Sequence, residues 1–370
     1  MTWKIPFLDL RVDDPEERRD LLAAVEAVLQ HGRFILGPEV AACEQRLAAA
    51  CGRTYAVGVK SGTDALFLGL KSLGIGPGDE VITASLSWIA TANAIRLTGA
   101  TPVFADVGDD LTMAPDSVRR LLTPRTRAIV PVHYTGSLCA MPALLQLAQA
   151  HRLLVIEDAA RAFGAWDHGR PAGAFGDVAC FSMNPMKVLG ACGEAGLVVT
   201  NRRDVYERLL ALRYNGMHQR RLCHEPSLNG RLDTLQAAIL LRRLSDFERR
   251  LARRREVATW YRKHLKGLVD VLPETAGARS VYYLFPIGTD ARDALRAFLA
   301  ARGIEVQTRD ADLLPCHPAY RDGYRAEFAN AQRLIRRLLC LPIHDKLTHD
   351  EVKYVTDCIW EFFKGGRPCQ

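Results

Sequence analysis

Residues Ser61 to Ala84 read SGTDALFLGLKSLGIGPGDEVITA, and the architecture follows from this stretch. Leu66, Phe67, Leu70 and Leu73 fall on one helical face, GPGDE at 76–80 breaks the helix, and VITA opens a β-branched strand. The same unit recurs on either side, between Pro38 and Asp158. IATANAIRLTG reads as helix, TPVFADV as strand, PDSVRRLL as helix, TRAIVPVHY as strand and MPALLQLAQAHR as helix. LLVIEDAA then forms a buried strand ending on two carboxylates, Glu157 and Asp158. Alternating helices and strands make an α/β layered sheet, and strands this short and continuously apolar are expected where helices cover both faces.

Beyond Asp158 the order changes. GRPAGAFGDVACFSM and GLVVTN predict two more strands joined by a Gly-rich loop, followed by the helix RDVYERLLALRYNG. A helical run from Leu232 to about Leu265 leads away from the sheet. VYYLFPIG, DARDALRAFLAARG, NAQRLIRRLL, CLPI and THDEVKYVTDCIWEFF then make a smaller α+β unit. The expected division is a large domain over 1–240 and a small one over 241–370, joined through one long helix. A length of 370 residues agrees with two domains of ordinary size.

Composition removes several classes of function. Hydrophobic residues at 48% and charged residues at 25% exclude a disordered chain. There is no run of 18 apolar residues, and MTWKIPFLDLRVDDPEE reaches acidic residues before a signal-peptide core forms, so the expectation is a cytoplasmic protein without a membrane partner. The ten cysteines include no C-x-x-C pair and read as reduced core thiols. Much of the net charge of +7 comes from Arg242 to Lys266, where basic residues alternate with Leu244, Phe247, Leu251, Val257, Trp260 and Tyr261. This reads as a solvated helix face, since a polyanion groove needs more than one helix; no nucleic-acid partner is expected.

Four local features carry chemistry. Lys187, in FSMNPMKVLGACGEAG, reads either as an exposed loop lysine or as a nucleophile with a lowered pKa beside apolar neighbours and a second cation. Asp158 ends a strand where open α/β sheets place ligands, and could equally cap a helix over AARAFGA. VKSGTDA sets Ser61 and Thr63 at a helix start, suited to a phosphate or to a plain N-cap. Ser182 and Trp88 read as a phosphate contact and a stacking ring, or as a buried serine and a core tryptophan. A phosphate cradle, a stacking ring, an acid and a lysine are together what pyridoxal 5'-phosphate requires.

At these residues the chain resembles the DegT/DnrJ/EryC1/StrS family of pyridoxal-phosphate-dependent sugar aminotransferases, of fold type I. The resemblance runs through IPFLDL, GRFILGPEV, the 61–83 block, ATANAI, TPVFADV, IVPVHYTG, VIEDAARAFGA, GAFGDVACFS, the Lys187 region, NGRLDTLQAAIL and LPIHDKLTHDEV. It implies a mostly parallel seven-stranded sheet between helices, a smaller C-terminal α+β domain, and a homodimer with active sites at the subunit interface. It further implies transfer of an amino group, usually from glutamate, to a nucleotide-linked keto-sugar. By the same resemblance Lys187 is the lysine that carries the cofactor, Asp158 the partner of the pyridine nitrogen and Trp88 the stacking ring. Gly62, Thr63, Asp64 and Ser182 match the phosphate contacts, Gly62 and Asp64 through backbone N–H, while Asn229 matches an asparagine that reaches the phosphate from the other subunit.

The chain departs from the family pattern at three places. Arg161 stands where a glutamine near the cofactor's phenolic oxygen is usual, Asn184 replaces an aromatic or histidine, and RDADLLPCHPAY lacks the usual sugar-side tyrosine. Specificity is expected around Phe34, His133, the 214–230 loop and the 307–320 loop, with His133 reading as a sugar contact or as a strand-end residue. A sugar dehydratase on the same fold and a non-catalytic cofactor-binding regulator are the competing readings, and Lys187 argues against both.

Overall fold

The computed structural model describes residues 3–219, 221–274, 276–321 and 327–365. Seven strands form the main sheet: β1 (Tyr55–Val59), β2 (Glu80–Ala84), β3 (Thr101–Ala105), β4 (Thr126–Val130), β5 (Leu154–Asp158), β6 (Val178–Ser182) and β7 (Gly196–Thr200). Their spatial order is β1-β7-β6-β5-β4-β2-β3. Only β7 is antiparallel to its neighbours, β1 and β6; the other pairs are parallel. The carboxyl ends of the six parallel strands therefore share one edge with the amino end of β7. The 183–195 loop between β6 and β7, which carries Lys187, lies on that edge too.

Residue alternation explains the three-layer packing. In β6, Val178 and Cys180 join one core and Ala179 and Phe181 another, as the period of two demands. Helices Gly62–Ser72 and Arg203–Leu212 bury Leu66, Leu70, Val205 and Leu209 on the first face. Helices Pro38–Ala50 and Thr234–Ser245 bury Leu47 and Leu240 on the second. Six cysteines (43, 51, 139, 180, 340, 358) are buried free thiols as expected, whereas Cys192, Cys223 and Cys316 are exposed; Cys369 lies outside the described residues.

Two expectations are corrected. The helical run from Leu232 to Leu265 is two helices, Thr234–Ser245 and Phe247–Leu265, because Asp246 at φ −100° and ψ 2° leaves helical geometry and flanks both. The basic stretch is also only in part a solvated face: Arg249, Lys263 and Lys266 are exposed, but others are not. Buried Arg254 donates to the carbonyls of Val281 and Tyr282, and Arg243 donates to those of Gly190 and Ala191. Arg250 pairs with Asp345 at 2.8 Å. Guanidinium groups are satisfying carbonyls of neighbouring loops here, which charge counting along one helix cannot reveal.

A second core assembles from helices Phe247–Leu265, Arg292–Ala301 and His349–Lys364 against strands Phe285–Gly288 and Leu338–Leu341, burying Tyr261, Phe285, Leu299 and Ile359. Ile5 from the other end of the chain belongs to it, and Ile5 N–H donates to the Gly303 carbonyl at 3.0 Å. Among the described residues no helix is long and apolar enough to cross a membrane.

Candidate active site

The shared edge of the sheet opens into a cavity of about 380 Å³ lined by residues from the segments singled out above, except those of Phe34 and Asn229. At one end the helix Gly62–Ser72 begins immediately after β1. Ser61 is its N-cap, its Oγ accepting the Asp64 N–H at 3.1 Å. The N–H groups of Gly62 and Thr63, as first-turn donors, have no intrahelical acceptor. A side chain at Gly62 would put its Cβ 2.5 Å from the Ser182 Cβ, so only glycine lets the helix start press against the end of β6. The Gly62 and Thr63 amides and the hydroxyls of Thr63 and Ser182 therefore offer donors suited to an anion within one cavity. Asp64 departs from expectation: its N–H is engaged by Ser61, and its side chain is not part of the lining.

Asp158 lines the cavity and is 5% exposed. Its Oδ2 accepts the Thr91 hydroxyl at 2.7 Å and its Oδ1 the Ala160 N–H at 3.2 Å. Thr91 in turn hydrogen-bonds Ser87 at 2.9 Å. No helix forms over 159–165, so Asp158 is not a helix cap. Trp88 is 58% exposed along the cavity wall, which a core tryptophan would not be.

Lys187 is not an exposed loop lysine. It is half-buried, with Nζ 4.7 Å from the centre of the Tyr283 ring. Burial pushes its pKa below the ordinary lysine value; Arg161 acts the same way, while Tyr283 and Asp158 oppose the shift. Burial alone would raise the Tyr283 phenol, yet the cations of Lys187, Arg161 and Arg309 hold it below its usual value. Asn184 does not meet the cavity as a ring would: its amide donates to Glu194 at 2.6 Å and accepts the Met186 N–H at 3.0 Å.

Arg161 lines the cavity, but its charge is already matched. It pairs with Asp310 at 3.0 Å and lies over the rings of Tyr134 (4.6 Å) and Tyr283 (5.2 Å). Tyr134 also donates its hydroxyl to Asp310 at 2.8 Å. Burial would lower the Arg161 pKa, and Asp310 outweighs it and raises it; Arg161 and the Tyr134 hydrogen bond likewise keep Asp310 ionised against burial. His133 resolves as a strand-end residue. Its Nδ1 accepts the Cys139 N–H at 3.2 Å, which leaves Nε2 to donate to buried Glu157 at 3.3 Å, so both ring nitrogens are engaged within the protein.

Asn229 is next to Gly230, whose carbonyl accepts the Lys60 N–H at 2.9 Å, but it is not among the lining residues. It is exposed and accepts from Arg231 Nε at 2.8 Å. Sequence reasoning missed Thr91, Tyr283, Arg309 and Asp310. Thr91 was within reach, three residues after Trp88 and so on the same side of a helical turn. Arg309 and Asp310 lie in the 307–320 loop expected to set specificity, though nothing singled them out within it, and Tyr283 arrives from a distant segment that nothing in its neighbourhood marks.

The cavity suits pyridoxal phosphate: amide and hydroxyl donors for the phosphate at one end, a fixed carboxylate beneath, an exposed indole on the wall and an amine with a depressed pKa. Comparison with known proteins agrees. The model of the DegT/DnrJ/EryC1/StrS aminotransferase family matches residues 15–360. The chain is 42% identical over 366 residues to a dTDP-3-amino-3,4,6-trideoxy-alpha-D-glucose transaminase of Streptomyces venezuelae, covering 98% of this chain and 97% of that one. It is 40% identical over 359 residues to a UDP-N-acetyl-3-dehydro-alpha-D-glucosamine 3-aminotransferase of Acidithiobacillus ferrooxidans, covering 96% and 97%. Among solved structures, S. venezuelae DesV in complex with a ketimine intermediate superposes with a TM-score of 0.95 at 41% identity, covering 98% of this chain and 99% of that one. With its fold, its cavity and nearly its whole length in agreement, the chain belongs to the DegT/DnrJ/EryC1/StrS aminotransferase family.

Proposed function

We propose that this protein is a pyridoxal-phosphate-dependent aminotransferase that moves an amino group from glutamate to a nucleotide-linked keto-sugar in amino-sugar biosynthesis. The observation that carries the reading is Lys187, an amine whose pKa is depressed by burial, in one cavity with the buried carboxylate of Asp158. When bound, pyridoxal phosphate supplies an aldehyde that takes up amines and a ring that delocalises the electron pair left when a proton leaves the carbon bearing nitrogen.

The chain's own residues supply the rest. Gly62 and Thr63 amides with Ser182 Oγ bind the phosphate, and the indole of Trp88 orients the ring. Asp158, fixed by Thr91 and Ala160, holds a proton on the pyridine nitrogen, because a carboxylate in a low-dielectric site favours the protonated ring. Lys187 Nζ, neutral for a larger share of the time than an exposed lysine, takes the proton from the substrate carbon and returns it on the other side of the reaction. Asn229 serves the partner subunit's cavity in a homodimer; its exposure and its absence from this chain's own lining support that assignment. The division into a large unit over 1–240 and a small one over 241–370 belongs to the same proposal and is supported by the separate second core, to which Ile5 nevertheless contributes.

Lys187→Ala tests the assignment. Removing a group that both binds and shuttles should cost several orders of magnitude in 2-oxoglutarate release from glutamate while the protein stays folded. A variant that releases 2-oxoglutarate at near wild-type rate would overturn it. A dehydratase or regulator predicts no glutamate-dependent release in the wild type either.

A further inference from the structure

The backbone from Val281 to Leu284 is held in a conformation that it would not adopt alone. Tyr282 has φ 48°, a left-handed geometry that an aromatic residue takes only where its surroundings impose it. Contacts on two sides impose it. On one, the Val281 N–H donates to the Gly136 carbonyl at 3.0 Å and the Leu284 N–H to that of Thr135 at 3.1 Å. Gly136 is so close that a Cβ there would lie 2.7 Å from the Tyr283 nitrogen. On the other, buried Arg254 of the helix Phe247–Leu265 donates to the carbonyls of Val281 at 3.2 Å, Tyr282 at 2.6 Å and Tyr283 at 3.5 Å.

Strain of this kind persists where the geometry that it enforces is used. What is enforced here is the place of Tyr283. Its side chain lines the cavity at 8% exposure, Lys187 Nζ lies 4.7 Å from the ring centre, and amine and phenol share a hydrogen bond. The Arg161 guanidinium is 5.2 Å from the same ring, and the charges of Arg309 and Arg254 also reach it. The nearby carboxylates are engaged elsewhere, Asp158 with Thr91 and Ala160, and Asp310 with Arg161 and Tyr134.

We infer that Tyr283 is a further catalytic residue, whose oxygen accepts the hydrogen bond of the ammonium formed on Lys187, and that Arg254 positions it. The inference rests on the aminotransferase reading above. When Lys187 Nζ takes the proton from the substrate carbon, a C–H bond breaks, an N–H bond forms and the electron pair stays on the carbon. Burial works against the positive charge this places on Lys187, and Arg161 works the same way. The Tyr283 oxygen offsets both. The guanidinium groups of Arg161 and Arg309 favour negative charge on that oxygen, so Lys187 and Tyr283 hold the incoming proton as a pair. On the return step the proton leaves Nζ for carbon, and Tyr283 is left as it began.

The test is a single turnover of the cofactor-loaded protein with glutamate, and with glutamate deuterated at the α-carbon, following 2-oxoglutarate release. Tyr283→Phe keeps the ring and should lower the limiting rate by about 10- to 100-fold, the worth of a hydrogen bond to a charged group. Half-saturating glutamate should stay within a few-fold, and the deuterium effect should persist or grow, since the slowed step is the C–H break. An unchanged limiting rate, a loss accompanied by a smaller deuterium effect, or a change in half-saturation alone would overturn the inference. In the cofactor-free protein, competitive labelling should give Lys187 a lower pKa in Tyr283→Phe than in wild type, and an equal pKa would also overturn it. Fluorotyrosine in place of Tyr283 serves if Tyr283→Phe does not fold: it should move the pH profile of the limiting rate toward acid, and an unmoved profile would overturn the role. Arg254→Lys should keep more of the limiting rate than Arg254→Met, and adding Tyr283→Phe to Arg254→Met should cost little more. Equal rates in the two Arg254 variants, or losses that add in the double variant, would overturn the positioning role. Wild-type protein that releases no 2-oxoglutarate would instead overturn the reading beneath, while the labelling comparison would still decide whether amine and phenol are coupled.

Discussion

Cutting the Arg161–Asp310 pair by Asp310→Ala should destabilise the protein by an amount the structure allows to be worked out. Both side chains are nearly fully buried, at 6% and 5% exposure. Removing one member of such a pair costs about 3–5 kcal/mol, because the other charge is left without compensation. Here the stranded guanidinium keeps the faces of Tyr134 and Tyr283 and a long contact to the Tyr134 carbonyl at 3.4 Å. Cation–π contacts of this kind offset about 1–2 kcal/mol of that, so the net loss should be about 1–4 kcal/mol. Urea unfolding followed by circular dichroism at fixed protein concentration measures it. The double variant Arg161→Met with Asp310→Leu removes both charges and should be less destabilised than Asp310→Ala alone. The pH dependence has a definite sign. The folded-state pKa of Asp310 is depressed, so its contribution is fully present above the unfolded carboxyl pKa of about 3.9 and is lost as pH falls through the lower folded value. The gap between wild type and Asp310→Ala should therefore be flat from about pH 5 to 8. Strictly additive single and double variants, or a gap that changes across that range, would refute the reasoning.

Other consequences can be checked separately. Lys187 in the cofactor-free protein should react with acetic anhydride as an amine of lower pKa than an exposed lysine; Tyr283→Phe removes a group that favours the ammonium and should lower that pKa further, read by competitive labelling and mass spectrometry across pH. Gly62→Ala forces a Cβ to within 2.5 Å of the Ser182 Cβ, so it should cost about 1–3 kcal/mol in thermal unfolding and weaken pyridoxal phosphate reconstitution. Arg254→Met strands the carbonyls of Val281 and Tyr282 beside Tyr283 and should cost about 2 kcal/mol or more in urea unfolding. In the proposed homodimer, refolding an equal mixture of inactive Lys187→Ala and Asn229→Asp should restore roughly a quarter of wild-type activity, because half the dimers would be mixed and each would have one intact site shared in trans. Mixed dimers without activity would place Asn229 in its own chain's site.

The sequence by itself determined the sheet, its helices and one end of the chemistry. SGTDALFLGLKSLGIGPGDEVITA predicts its helix and strand because side-chain periodicity and Gly-Pro punctuation act over a few residues. Lys187, Asp158, Ser182 and the 61–65 turn were legible because each sits at a strand end, a helix start or the Gly-rich loop between two strands, on the edge where the sheet gathers them. Tertiary structure alone decided the rest. Whether Arg250, Arg243 and Arg254 face water, a carboxylate or carbonyls depends on segments far along the chain. His133 became a structural residue because Glu157 and the Cys139 amide meet its two nitrogens. Arg161 lost its free charge to Asp310, which lies 149 positions away in sequence. Local propensity is set by neighbours in the chain, whereas the charge state and hydrogen-bonding capacity of a buried group are set by whatever packs against it in space, and that is known only once the chain has folded.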